Sequence, residues 1–143
     1  MENYQKILVA VDGSDQADRA FQKSLELAQK YGAALAIASV VDLRSFSPNI
    51  SYDGSLEERA WRAAEARVED YGKRAKEAGI EEVATFVDRG NPKIILASKI
   101  PEHFGADLIV VGATGMNRVE KFVLGSISSY VLAHAKVDTL VAR

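Results

Sequence analysis

Residues 107–128 read DLIVVGATGMNRVEKFVLGSIS, and this stretch decides the architecture. Leu108-Ile109-Val110-Val111 is a continuous apolar, mostly β-branched run. It lacks the in-out alternation of a half-wet sheet and suits a strand covered on both faces, as in a parallel sheet. Gly112-Ala113-Thr114-Gly115 follows directly, nine residues intervene, and Gly125-Ser126 opens a helical pattern. Glycines at a strand end let the backbone approach a ligand closely. The first N–H groups of a helix point unpaired at whatever lies ahead, so the spacing suits a phosphate chain. The Ser126 and Ser128 hydroxyls add donors, and Arg118 supplies neutralising charge. With Gly at about 7% of residues and Ser or Thr at roughly 13%, the four fixed positions match by chance in under ~1% of such chains. A glycine-rich turn followed by a helix cap is the competing reading of the same residues.

Outward from this stretch, two kinds of segment alternate. Ile7-Leu8-Val9-Ala10-Val11, Ala33 to Val41 and Val137 to Ala142 are further buried-strand runs, and the more mixed Glu82 to Val87 reads as a strand nearer an edge. Between them lie helical periods. Ala17, Ala20, Phe21, Ser24, Leu25, Ala28 and Tyr31 form one stripe, with Ser14 as N-cap and Gly32 at the left-handed C-terminal position. Ser55-Leu56-Glu57-Glu58 has the form of a capping box opening a stripe of Trp61, Ala64, Val68, Tyr71, Ala75 and Ala78, closed by Gly79. Asn91-Pro92 starts a third helix through Ile94, Ile95, Ala97 and Ser98, which Pro101 is expected to end or kink near Ile100. A fourth begins near Ser126 and buries Ile127, Val131 and Ala135. The order β-α-β-α-β-α-β-α-β predicts a parallel sheet with right-handed crossovers and helices on both faces. Two connections are long, Leu43 to Gly54 and Ala113 to Leu124. Both leave the carboxyl end of a strand, where open α/β sheets bind ligands.

Composition narrows the function classes. The 143 residues are 48% hydrophobic, the size of one domain with its own core. Eighteen Lys and Arg against twenty Asp and Glu leave a charge of −2, against the basic face of a nucleic-acid binder. No cysteine means no disulfide framework, thiolate metal site or cysteine nucleophile. The start MENYQKILVAV is too quickly interrupted by Asp12 for a signal peptide, and no apolar run is long enough for a bilayer span. The chain reads as soluble, cytoplasmic and single-domain over 1–143.

Gly112-x-x-Gly115, nine residues and Gly125-Ser126 resemble the nucleotide-binding signature of the ATP-binding branch of the universal stress proteins. The resemblance covers the whole length. Ile7 to Ser14 is similar to the family's opening strand and turn, Val40-Val41-Asp42 to the end of its second strand, Gly90-Asn91-Pro92 to its third βα loop, and Asp107 to Gly112 to its fourth strand. It implies a Rossmann-like open five-stranded parallel sheet of strand order 3-2-1-4-5 in a single universal stress protein-like domain. It also implies ATP as ligand, with Mg²⁺ or Mn²⁺ accompanying it. Asp12 would then lie beside the nucleotide and help hold the metal, with Ala10 and Val11 lining the wall. Val40 would offer backbone groups to the adenine edge, and Gly90 would leave room nearby. Val111, Gly112 and Gly115 would wrap the ribose and phosphates, and Gly125, Ser126, Ile127 and Ser128 would cradle the phosphate tail. The implied assembly is a homodimer through the C-terminal strand. Val137-Asp138-Thr139 departs from the apolar step the family usually has there, which leaves the start of that strand open.

Each residue has a blander reading. Asp12-Gly13-Ser14 also suits a plain turn and helix cap. Trp61 lies on a regular stripe and reads as core. His103 and His134 have no partner at metal-ligand spacing, and His134 suits a helix C-terminus. Phe46, Ile50 and Tyr52 fit a lid, a partner patch or a loop folded on its own core. No P-loop lysine motif, dinucleotide glycine motif or nucleophile elbow is present, and phosphoryl transfer needs clamps, metal ligands and an oriented nucleophile together. The expected function is therefore an ATP-binding stress-response or regulatory module. The alternatives are slow ATP hydrolysis with Asp12 and a metal positioning water, or a structural dimer with an empty cleft. A phosphorylation receiver using Asp12, Asp88 and Thr114 is disfavoured, because Ala142-Arg143 offers no lysine at the end of the fifth strand.

Overall fold

The computed structural model describes residues 3–43, 54–113 and 124–143. The element order is β1 (Lys6–Ala10), α1 (Asp15–Tyr31), β2 (Ala34–Asp42), α2 (Ser55–Glu77), β3 (Val83–Gly90), α3 (Pro92–Ile94), a π-helical turn (Ile95–Lys99), α4 (Ile100–Phe104), β4 (Leu108–Gly112), α5 (Ser126–His134) and β5 (Asp138–Ala142). The five strands form one sheet in the order β3-β2-β1-β4-β5, every pair parallel, as expected. β1, β2 and β4 are covered on both faces, which is why their sequences run apolar without alternation.

Each face packs its own core. On one side α1 and α2 cover Ile7, Val9, Leu35, Ile37 and Val110 through Phe21, Leu25, Val68 and Tyr71. On the other the α3–α4 region and α5 cover Leu8, Ala36, Ala38, Ile109 and Val111 through Ile95, Leu96, Ile100, Phe104 and Val131. Alternate residues of one strand therefore point to different helices, the period-two rule for strands.

Local signals act as the sequence predicts at α1. Ser14 accepts from the Ala17 N–H at 3.1 Å, and Gly32 closes the helix at φ 66°. At α3 the Asn91 side chain accepts from the Lys93 N–H at 3.0 Å with Pro92 in the first turn. Four expectations are corrected. The capping box does not form: Gly54, at φ 74°, is the N-cap, Ser55 is already helical, and the Glu58 carboxylate goes to Arg62 at 2.8 Å. Pro101 does not end the third helix, which runs on to Phe104. Proline removes one N–H and crowds the carbonyl four residues back, and the π-helical turn before it widens the ladder so that Ile100 N–H bonds to Ile95 instead. Trp61 is half-buried outside both cores, with the Arg89 guanidinium 4.4 Å from its ring centre. Ala135 caps α5 rather than lying within it and is half-buried. β5 starts at Asp138, whose carboxylate accepts from the Tyr4 hydroxyl at 2.6 Å, so the polar residue in the departing tripeptide is a fastening to the chain start.

Candidate functional site

The carboxyl edge of the sheet collects the described candidate residues. β1 and β2 pair through Ala10 and Ala38, and the Val11 N–H continues the ladder to the Ala38 carbonyl at 2.9 Å. Val40 lies two residues further along β2. Val9 pairs with Val110 on β4, which sets Val111 beside Ala10 and Gly112 beside Val11. β3 ends at Gly90, opposite Asp42. Three strand spacings separate the ends of β3 and β4, about 14 Å. β1 is the switch point, since the chain leaves it toward β2 on one side and returns to β4 on the other, and crevices of open α/β sheets form at such points.

Asp12 stands exposed at this edge. Its Oδ1 accepts from the Ser14 N–H at 3.0 Å and from the Ser14 hydroxyl at 2.5 Å, and Ser14 in turn caps α1. The turn-and-cap reading of Asp12-Gly13-Ser14 is thus realised. It uses one carboxylate oxygen, and Oδ2 takes no hydrogen bond among the described residues. Gly13 has φ +87°, a conformation that favours glycine.

Gly112 is required by packing. A Cβ there would meet the Gln16 carbonyl oxygen and Cβ at 3.0 Å, so α1 crosses β4 over a bare backbone. The Gly112 carbonyl accepts the buried Ser128 hydroxyl, which is therefore turned inward rather than added to a set of outward donors. That corrects one expectation for Ser128 and leaves its backbone N–H. Gly125 is the extended N-cap of α5 and donates its own N–H to Ala113 at 2.7 Å. Having no side chain, it cannot cap the helix. The N–H groups of Ser126, Ile127 and Ser128 precede the first intrahelical bond and are the helix's positive end. Ser126 is exposed and Ile127 half-buried. β4 and α5 thus meet through Gly112, Ala113 and Gly125, bringing the two halves of the glycine pattern together.

At the other end of the crevice Val40 is half-buried on the face covered by the α3–α4 region. Gly90 has φ +135°, and a Cβ there would stand 3.1 Å from Cδ1 of Ile95. Below it Asp88 is paired with Lys99 at 2.8 Å and accepts from the Arg89 N–H at 2.8 Å. Burial pushes the Asp88 carboxyl up, but the hydrogen bonds and charges of Lys99 and Arg89 prevail and hold it below the ordinary carboxylate range. This carboxylate is engaged as half of an ion pair, which gives the receiver reading no support. Gly115, Arg118, Thr114, Phe46, Ile50 and Tyr52 lie outside the described residues.

Sequence reasoning missed Gln16, Ser39 and Arg67. Gln16 is nine-tenths buried against Gly112, and its Oε1 has no hydrogen-bond partner among the described residues. Arg67 of α2 donates from Nη1 to the buried Ser39 hydroxyl at 2.9 Å, and its guanidinium borders Gly13. Polar positions inside amphipathic stripes carry no periodic signal, so only the tertiary contacts single them out. For a metal, no group of three or more His, Cys, Asp or Glu is gathered among the described residues. A single accessible carboxylate fits a cation that arrives with a polyphosphate, because Mg²⁺ is commonly held by one or two carboxylates with substrate phosphates and water.

Comparison with known proteins fits this architecture. The family model described as the universal stress protein family matches residues 3–143. A Staphylococcus epidermidis protein carrying the same family name is 39% identical over all of this chain and 86% of its own length. The solved structure of universal stress protein UspA from Lactobacillus plantarum covers both chains completely at 32% identity and a TM-score of 0.85. A universal stress protein solved in complex with cAMP shares 27% identity over 99% of both chains, with a TM-score of 0.75.

Proposed function

This chain belongs to the universal stress protein family, and from that premise we propose that it is an ATP-binding regulatory module. The carrying observation is the meeting of an exposed carboxylate, a bare strand end and an uncapped helix start at the switch point of the sheet: Asp12, Gly112 and Gly125-Ser126. The amides of Ser126, Ile127 and Ser128 suit the phosphate tail, since a helix start offers donors and positive potential at once. Gly115 and Arg118, in the loop joining these elements, would complete that wrap. Ala10, Val11 and Val111 form the wall, and Val40 and Gly90 border the place for the base. The cAMP complex of a family member supports an adenine nucleotide as the ligand class. A bound Mg²⁺ or Mn²⁺ would neutralise phosphate charge, with Asp12 as the protein's ligand to it. The β5 edge not paired with β4 would join two copies into a homodimer, and the protein would act in the cytoplasm. No described helix is long and apolar enough to cross a membrane.

Nucleotide retained through gentle purification and identified by mass tests the reading directly. ATP or a close adenine relative at near-stoichiometric amount is expected. Empty protein that also fails to take up labelled ATP in equilibrium dialysis would refute it.

A further inference from the structure

We propose that Arg67 is a positioning residue of this site, bracing the β1–α1 turn that carries Asp12; the assignment rests on the nucleotide reading above. Arg67 projects from the middle of α2, a helix otherwise placed by Val68, Tyr71 and Ala75 against the sheet. Its Nη1 donates to the hydroxyl of Ser39, a residue 2% exposed, so one corner of the guanidinium is pinned to β2. The opposite edge faces the turn. A Cβ on Gly13 would stand 3.2 Å from both Nε and Nη2 and 3.5 Å from Cζ. Equal approach to two nitrogens, with the carbon farther, places Gly13 against the Nε–Nη2 edge, the fork that otherwise grips carboxylates.

Two features set this arginine apart. Arg62, Arg74 and Arg89 each hold a carboxylate across 2.7–3.0 Å. Arg67 is half-buried, and its side-chain partner among the described residues is the neutral Ser39 hydroxyl. A partly desolvated charge with no counter-ion among the described residues is costly, so its place here calls for a structural reason. The second is what it faces. Gly13 has φ +87° and sits between Asp12 and the α1 cap Ser14, so a turn whose side-chain bonds are all internal to it or to the start of α1 has a rigid planar group from another element behind it. A ligand-contacting carboxylate depends on such support, because a site loosened by ~1 Å loses much of its function.

The experiment compares the parent with Arg67→Ala and Ser39→Ala, well below their melting temperatures. It reads ATP and adenosine dissociation constants by calorimetry and amide hydrogen exchange by residue. Arg67→Ala is expected to weaken ATP with Mg²⁺ by about tenfold, or about 1.4 kcal/mol, and to leave adenosine, which brings neither phosphate nor metal to Asp12, within twofold. It should also speed exchange at Gly13 to Ala17, and Ser39→Ala should do the same to a smaller degree. A role confined to tying α2 to β2 predicts faster exchange along α2 with unchanged affinity. ATP affinity within twofold of the parent, an equal loss for adenosine, or unchanged exchange in the turn overturns the assignment. If the parent binds neither ligand, the nucleotide reading falls and this assignment with it. That result is distinct from failure of Arg67 alone, in which parent and variant bind equally well.

Discussion

Alanine at position 112 would press a Cβ to within 3.0 Å of the Gln16 carbonyl oxygen, a backbone atom that cannot swing aside. Gly112→Ala is therefore expected to destabilise the fold by about 1–3 kcal/mol, read as a lower urea midpoint, whether or not nucleotide is present. The residue that heads the glycine pattern was legible as a close-approach position. That α1 makes the approach was not, because the Gln16 crossing depends on tertiary packing. The Lys99–Asp88 pair gives a second residue-level test. Asp88's carboxyl is held below its ordinary range, so the pair's contribution is present above the unfolded-state value near 4 and fades as pH falls through the folded one. Lys99 is well exposed, which limits the effect to under ~1 kcal/mol. Lys99→Met should be less stable than the parent in urea at about pH 6, and the difference should shrink as pH falls below about 4. A difference that persists undiminished in acid would contradict the assignment.

Helix starts separate what sequence announces from what it does not. Ser14 and Asn91 cap α1 and α3 as their sequences predict, and Ser14→Ala is expected to lower unfolding free energy by about 1 kcal/mol in denaturant titration. The Ser55 to Glu58 tetrapeptide fits the capping-box pattern equally well, yet Gly54 takes the cap and the acids go to arginines, Glu58 to Arg62 and Glu57 to Arg89. A local pattern specifies which partners are possible, and the cross-element Glu57–Arg89 pair is beyond its range. The π-helical turn shows the same boundary. Pro101 signals a disturbed ladder, but whether the helix stops or widens depends on burying Ile100 and Phe104 under the sheet, and here that burial prevails. Three strands read correctly as buried on both faces, β1, β2 and β4, whereas Val137 to Ala142, read as the same kind of run, is the edge strand β5 with Ala142 as its buried residue. β3 extends to Gly90, past its apolar run, because it follows β2 in register as far as Asp42.

For the molecule as a whole, β-α alternation fixed the sheet type, and the family resemblance supplied a strand order that the structure bears out. The same order places the separated glycines, some of them far apart in sequence, along one edge. That edge is what turns a turn-and-cap pattern into a candidate site. At this scale the proposed dimer predicts twice the chain mass in light scattering, and a monomer at high micromolar concentration would remove β5 from the account. The central claim is that the start of α5 receives a polyanion. It is tested most directly by thermal melts of the parent and Gly125→Asp, with and without Mg²⁺ and ATP. At a hundredfold excess over the dissociation constant the ligand stabilises by about 2.7 kcal/mol, roughly 5–10 °C for a chain of this size. The account predicts that rise in the parent and its loss in Gly125→Asp, where a carboxylate stands at the helix start. An equal rise in both proteins would contradict it.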